Sequence, residues 1–162
     1  SGLEAARARG IEALALPHTD FADRAAFDTA MSAEMKARGI ELIALAGFMR
    51  ILTPGFIAEW QGRMLNIHPS LLPKYPGLDT HARAIAAGDA QAGCSVHIVT
   101  EVLDDGPVVA QARVPINAGE TAETLAAKVL VEEHRLYPQA LAAFARTLQT
   151  DAPMVDVPPA SR

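Results

Sequence analysis

Asn66-Ile67-His68-Pro69-Ser70-Leu71, preceded by Leu65, decides how this chain is read. Asn66 and His68 are two apart, and Leu65 and Ile67 interleave with them. On a β-strand that spacing puts the amide and the imidazole on one face and the two aliphatic chains on the other. Pro69 has no N–H to give to a ladder, so the strand is expected to end there. A polar pair at the carboxyl end of a buried strand is where open α/β sheets bind ligands.

Outward from that strand, helix and strand signals alternate. Towards the amino terminus, residues 2–9 read as the end of a helix stopped by Gly10, and Ile11 to Leu16 as a short strand ended by Pro17. Asp20 to Arg38 reads as a helix with Asp20 as its N-cap and Phe27, Met31 and Met35 on one stripe. The apolar run Leu42-Ile43-Ala44-Leu45-Ala46 marks a strand covered on both faces. Thr53-Pro54 opens a helix to about Trp60, followed by the Asn/His strand at 63–68.

Towards the carboxyl terminus, a Pro/Gly-rich loop at 69–77 leads to a helix from about Asp79 to Ala87. Ser95–Thr100 and Val108–Val114 are expected strands, and Asp104-Asp105-Gly106-Pro107 between them is a turn signal predicting an antiparallel pair. Thr121 with Thr124 opens a long helix, which Tyr137-Pro138 is expected to break. The expected fold class is therefore α/β: a mixed, mostly parallel Rossmann-like sheet with an antiparallel pair near the carboxyl end. Residues 1–147 form the expected domain, and 148–162 a mobile tail.

Composition narrows the function. The chain has 162 residues, half of them hydrophobic, and a formal net charge of −5 that argues against a nucleic-acid-binding surface. One cysteine, Cys94, excludes an internal disulfide and fits a reducing compartment. No apolar run approaches the roughly 18 residues of a membrane span, so the cytoplasm is the expected location. No Gly-x-Gly-x-x-Gly or Walker-type loop is present, and there is no i,i+4 His pair or Cys set for a metal.

Asn66, His68 and Asp104, with no activated Ser or Cys beside them, suggest acyl transfer without a covalent enzyme intermediate. An Asn amide is a fixed donor suited to a developing oxyanion. A protonated His beside it adds a second donor, and a nearby carboxylate favours the charged imidazole. Taken singly, each has a plainer explanation: a satisfied loop backbone, a core histidine, a turn aspartate.

The stretch Leu65 to His81, with Pro69-Ser70-Leu71-Leu72-Pro73-Lys74-Tyr75-Pro76-Gly77 at its centre, closely resembles the glycinamide ribonucleotide formyltransferases of purine synthesis. So do Ala46-Gly47-Phe48-Met49-Arg50-Ile51-Leu52, Ser95-Val96-His97, Leu103 to Val108, and Glu133-His134-Arg135-Leu136-Tyr137-Pro138. Five motifs in order make the resemblance specific.

What it implies is the formyltransferase fold and transfer of a formyl group from 10-formyltetrahydrofolate to the amino group of glycinamide ribonucleotide, without metal. Asn66, His68 and Asp104 fall on the catalytic positions. Asn66 and His68 would stabilise the oxyanion, and Asp104 would keep His68 protonated and help move the amine proton through water. The folate contacts implied are Arg24, Met49, Arg50, Ile51, Leu52, Asn66, Val99 and Asp104. Those to the amine substrate are Met49, Ile67 and Glu133. The resemblance also implies small-molecule partners alone, a monomer or homodimer, and an amino-terminal phosphate-binding βαβ segment that the quoted residues do not contain. Leu130 stands where some relatives carry a polar residue for the ribose.

Two readings within the superfamily compete: a formyltetrahydrofolate deformylase, which passes the group to water, and a methionyl-tRNA formyltransferase, which would need a further domain and a basic surface. A folate-binding module without turnover is the alternative from another class.

Overall fold

The computed structural model describes residues 2–150. They divide into two compact units, one running to Ile40 and including Ile51–Phe56, the other holding Glu41–Arg50 and everything from Ile57 onward.

The first unit carries two helices, α1 (Gly2–Arg7) and α2 (Arg24–Ala37). The N-cap of α2 is Asp23, whose carboxylate accepts from Ala26 N–H at 2.8 Å. Asp20, the expected cap, sits instead in a short 3-10 turn, His18–Asp20. Phe27 packs edge-on against Phe21 with ring centroids 5.6 Å apart. Asp28 is buried on the same helix and accepts from Thr53 N–H at 2.7 Å, so a buried carboxylate is spent on a loop backbone. Ile11 to Leu16 forms no strand: Ile11 and Leu14 are at least half exposed, and its backbone bonds go to α1 rather than to a strand, Ile11 N–H donating to Ala6 O at 3.0 Å and Ala13 O accepting from Arg7 Nη2 at 3.1 Å. Helix α3 (Pro54–Glu59) opens as expected, Phe56 N–H donating to Thr53 Oγ1 at 3.3 Å.

The second unit is a four-stranded sheet in the order β1 (Ile43–Leu45), β2 (Met64–His68), β3 (Gln91–Ile98), β4 (Val108–Pro115). The β1–β2 ladder is parallel; β2–β3 and β3–β4 are antiparallel. The mixed α/β class and the antiparallel pair at the carboxyl end are thus present. Among the described strands one ladder is parallel and two are antiparallel, with β3 following β2 through the 69–77 loop and α4 (Thr80–Ala86).

The two faces of this sheet differ in chemistry. Leu65 and Ile67 of β2 share one face with Cys94 and Val96 of β3 and Ala110 and Ala112 of β4. Helix α5 (Ala122–Thr150) covers it with Leu125, Val129, Leu136, Ala140 and Phe144. Burial pushes the Cys94 thiol up to about 12, leaving it a small hydrophobe with no accessible thiolate.

Pro138 does not break α5, against expectation. Its missing N–H frees the His134 carbonyl, but both halves of the helix bury a face in the same core, so the packing outweighs one lost bond. The neighbouring Tyr137 hydroxyl adds a tie, its single proton facing Leu45 O at 2.8 Å and Leu65 O at 3.0 Å. Residues 148–150 of the expected tail belong to this helix; 151–162 lie outside the described residues. Among the described residues no helix is long and apolar enough to cross a membrane.

Candidate functional site

The other face of the sheet is polar. Asn66 pairs with His97 across the β2–β3 ladder and His68 with Ser95, so four polar side chains rise side by side. His68, Ser95 and His97 are all buried, at 6%, 0% and 2% exposed, so each must find its partners within the protein.

His97 orients Asn66. His97 Nδ1 lies 3.1 Å from Ile98 O, and a carbonyl only accepts, so Nδ1 carries the proton. Burial holds His97 below the ordinary imidazole range, outweighing the Ile98 carbonyl and Asp104, which favour the charged ring. In the neutral ring Nε2 is then a lone pair, and Asn66 Nδ2, at 3.2 Å, donates to it. One Asn66 amide proton is spent on His97; the second remains to act as a donor.

His68 is held between two acceptors. Its Nε2 is 2.9 Å from Tyr75 O and its Nδ1 3.3 Å from Asp104 Oδ2. A neutral ring satisfies only one of them, whereas the imidazolium satisfies both. Asp104 Oδ2 also accepts from Gly77 N–H at 2.9 Å, and Oδ1 stands 3.6 Å from His97 Nε2. Asp104 reaches this position on a left-handed backbone (φ +52°) in the loop between β3 and β4. At Gly106 of that loop a Cβ would lie 1.7 Å from Ile98 O, so the loop closes onto β3 only with glycine there. Asn66, His68 and Asp104 therefore do come together, with His97 beside them, a residue quoted above in the Ser95-Val96-His97 motif without a role of its own. Its signal was present: Ser95 and His97 alternate as Asn66 and His68 do.

The loop from Pro69 to Gly77 is held by buried hydroxyls. Ser95 Oγ donates to Ser70 O at 2.6 Å and accepts from Leu72 N–H and Gln111 Nε2 at 3.0 and 2.9 Å. Ser70 Oγ donates to Lys74 O at 2.6 Å, and Thr80 Oγ1 to Pro69 O at 2.7 Å. Neither Ser70 nor Ser95 is placed as a nucleophile; both are bound to backbone groups.

The remaining expected residues fall as follows. Glu133 on α5 is half-buried; burial raises its carboxyl above the usual range, against the opposing charges of His134 and His68. Ile67 points to the apolar face and packs into the core, so only its backbone borders the polar side. Val99 N–H donates to Met64 O at 2.9 Å, extending the pairing beyond β3. Met49 is 78% exposed and Arg50 half-buried, in the loop that follows β1. In the first unit Arg24 Nη1 donates to Ile51 O at 3.4 Å, while Ile51 is exposed and Leu52 buried. Among the described residues, no group of three or more His, Cys, Asp or Glu is arranged to hold a metal ion.

Residues 1–141 match the formyl transferase family. The chain is 48% identical over 144 residues to the phosphoribosylglycinamide formyltransferase of Escherichia coli, covering 89% of this chain and 68% of that protein. It is 46% identical to the trifunctional purine biosynthetic protein adenosine-3 of Drosophila pseudoobscura pseudoobscura, over 89% of this chain but 11% of that much longer one. Among solved structures, the phosphoribosylglycinamide formyltransferase of Brucella melitensis superposes with a TM-score of 0.85 at 52% identity, covering 95% of this chain and 76% of that one.

Proposed function

This chain belongs to the formyl transferase family, and we propose that it transfers the formyl group of 10-formyltetrahydrofolate to the amino group of glycinamide ribonucleotide. The observation that carries the mechanism is the Asn66 amide, held by His97 with one N–H left over, beside the His68–Asp104 pair.

The amine nitrogen attacks the formyl carbon and forms a C–N bond, and the carbonyl oxygen takes up the negative charge of a tetrahedral intermediate. The second Asn66 N–H is the donor aimed at that charge. His68, doubly hydrogen-bonded, contributes a positive charge at short range, because both its ring nitrogens are engaged with Tyr75 O and Asp104. The bond from the formyl carbon to N10 of the folate then breaks, and the proton lost by the amine arrives at N10 through water. Asp104, whose Oδ1 is the less engaged oxygen, is the relay for that proton. No step in this scheme needs a metal ion.

Arg24, Met49, Arg50, Ile51, Leu52, Asn66, Val99 and Asp104 are assigned to the folate, and Met49, Ile67 and Glu133 to the amine substrate. A cytoplasmic location and small-molecule partners, with neither nucleic acid nor membrane, complete the proposal.

Product analysis with both substrates tests it. Formyl transfer that requires glycinamide ribonucleotide and falls by about 10²–10³ in kcat in Asn66→Ala is the expected result. Formate release that does not need the amine would make water the acceptor. Folate binding with no turnover would reduce the chain to a binding module. Either result overturns the proposal.

A further inference from the structure

Tyr75 gives His68 one of its two acceptors through a backbone carbonyl, yet its own backbone lies in the left-handed region (φ +56°), which costs energy for a bulky residue. Something must hold it there. The Tyr75 hydroxyl donates to Asp89 Oδ2 at 2.8 Å, and the Lys74 ammonium meets Asp89 Oδ1 at 2.8 Å, so both oxygens of one carboxylate grip adjacent loop residues. Asp89 lies just before β3, on the segment that follows α4. The Arg83 guanidinium stacks over the Tyr75 ring at 5.2 Å and donates to Pro76 O and Leu78 O at 2.7 and 3.2 Å, fixing the loop on the far side of Tyr75.

We propose that Asp89 and the Tyr75 hydroxyl form a positioning clamp for His68. The carboxylate fixes the ring, the fixed ring keeps the Tyr75 backbone in its left-handed conformation, and that conformation aims the carbonyl at His68 Nε2. Asp89 is then a positioning residue that touches neither substrate, and the Tyr75 ring is a lever rather than a packing group. The clamp rests on His68 serving the formyl-transfer reaction, but its geometry can be read without substrate.

The test is the His68 imidazole Nε2–H resonance in the ¹⁵N-labelled full chain, assigned by its loss in His68→Gln. Tyr75→Phe removes the hydroxyl and retains the ring under Arg83; Asp89→Asn removes the carboxylate charge. Both are expected to broaden or lose the resonance and to lower kcat about tenfold with KM unchanged, the loss of one hydrogen bond to a charged group. Lys74→Ala, which removes the other grip on Asp89, is expected to keep both the resonance and kcat. A wild-type resonance in Tyr75→Phe overturns the clamp, and so does equal loss in Lys74→Ala, since general loosening of the loop would then suffice. Absence of formyl transfer by the wild-type chain would instead overturn the reaction, leaving the resonance to judge the clamp independently.

Discussion

Asn66 and His97 face each other across the β2–β3 ladder, and the histidine, itself pinned by Ile98 O, accepts an amide proton from the asparagine at 3.2 Å. The ring therefore decides which way the amide points. His97→Ala should leave Asn66 free to rotate, so kcat falls at least tenfold while folate affinity, measured by equilibrium titration, stays within about twofold. Unchanged kcat would show that Asn66 needs no orienting partner.

Asn66→Asp keeps the shape of the side chain and replaces its donor with a carboxylate. Beside Asp104, and facing a developing oxyanion, it should cost more than the roughly 10²–10³ expected for simple loss of the donor. Steady-state kinetics of Asn66→Asp against Asn66→Ala decide this: the aspartate variant is predicted to be the slower.

Burial raises the Glu133 carboxyl, and the sign of the consequence follows. A group bound more tightly to its proton in the folded state supports folding below its unfolded pKa, and that support is lost as the pH rises through the folded value. Glu133→Gln removes the unfavourable buried charge, so its melting temperature should exceed that of wild type at pH 8 and converge on it near pH 4. A thermal-shift series across that range checks the crossover. If Glu133 grips the amine substrate, the same variant should raise KM for that substrate.

Gly106→Ala places a methyl group where Ile98 O already stands, at 1.7 Å. The loop carrying Asp104 must shift, so activity should fall sharply and the melting temperature drop by several degrees, corresponding to about 1–3 kcal/mol. A variant with wild-type activity would mean that Asp104 keeps its place without the loop closing onto β3.

Much of this was legible in the residues. The alternation Leu65-Asn66-Ile67-His68 fixed both faces of β2, because a buried sheet leaves one register for such a pattern. Asp104 was legible only through the family resemblance, since its turn chemistry alone explains it as a local hydrogen-bonding residue. What escaped has a common cause in partners far apart along the chain. His97 becomes a site residue only when β3 lies against β2, and Asp89 grips Tyr75 fourteen positions earlier. Pro138 misled for the opposite reason: a local rule that is sound for an isolated helix gave way to a core that holds both halves. Ile11 to Leu16 has strand composition, but among the described residues no strand pairs with it.

The two-faced sheet carries a consequence for how this sequence can vary. Along β2 and β3, residues next to each other in the chain answer to different demands: Leu65, Ile67, Cys94 and Val96 to volume, and Asn66, His68, Ser95 and His97 to hydrogen-bond geometry. Substitutions of similar size should be tolerated at the first set and far fewer at the second. Over these strands, permissiveness should rise and fall with a period of two residues, so the pleat of the backbone is written into what the gene is free to change.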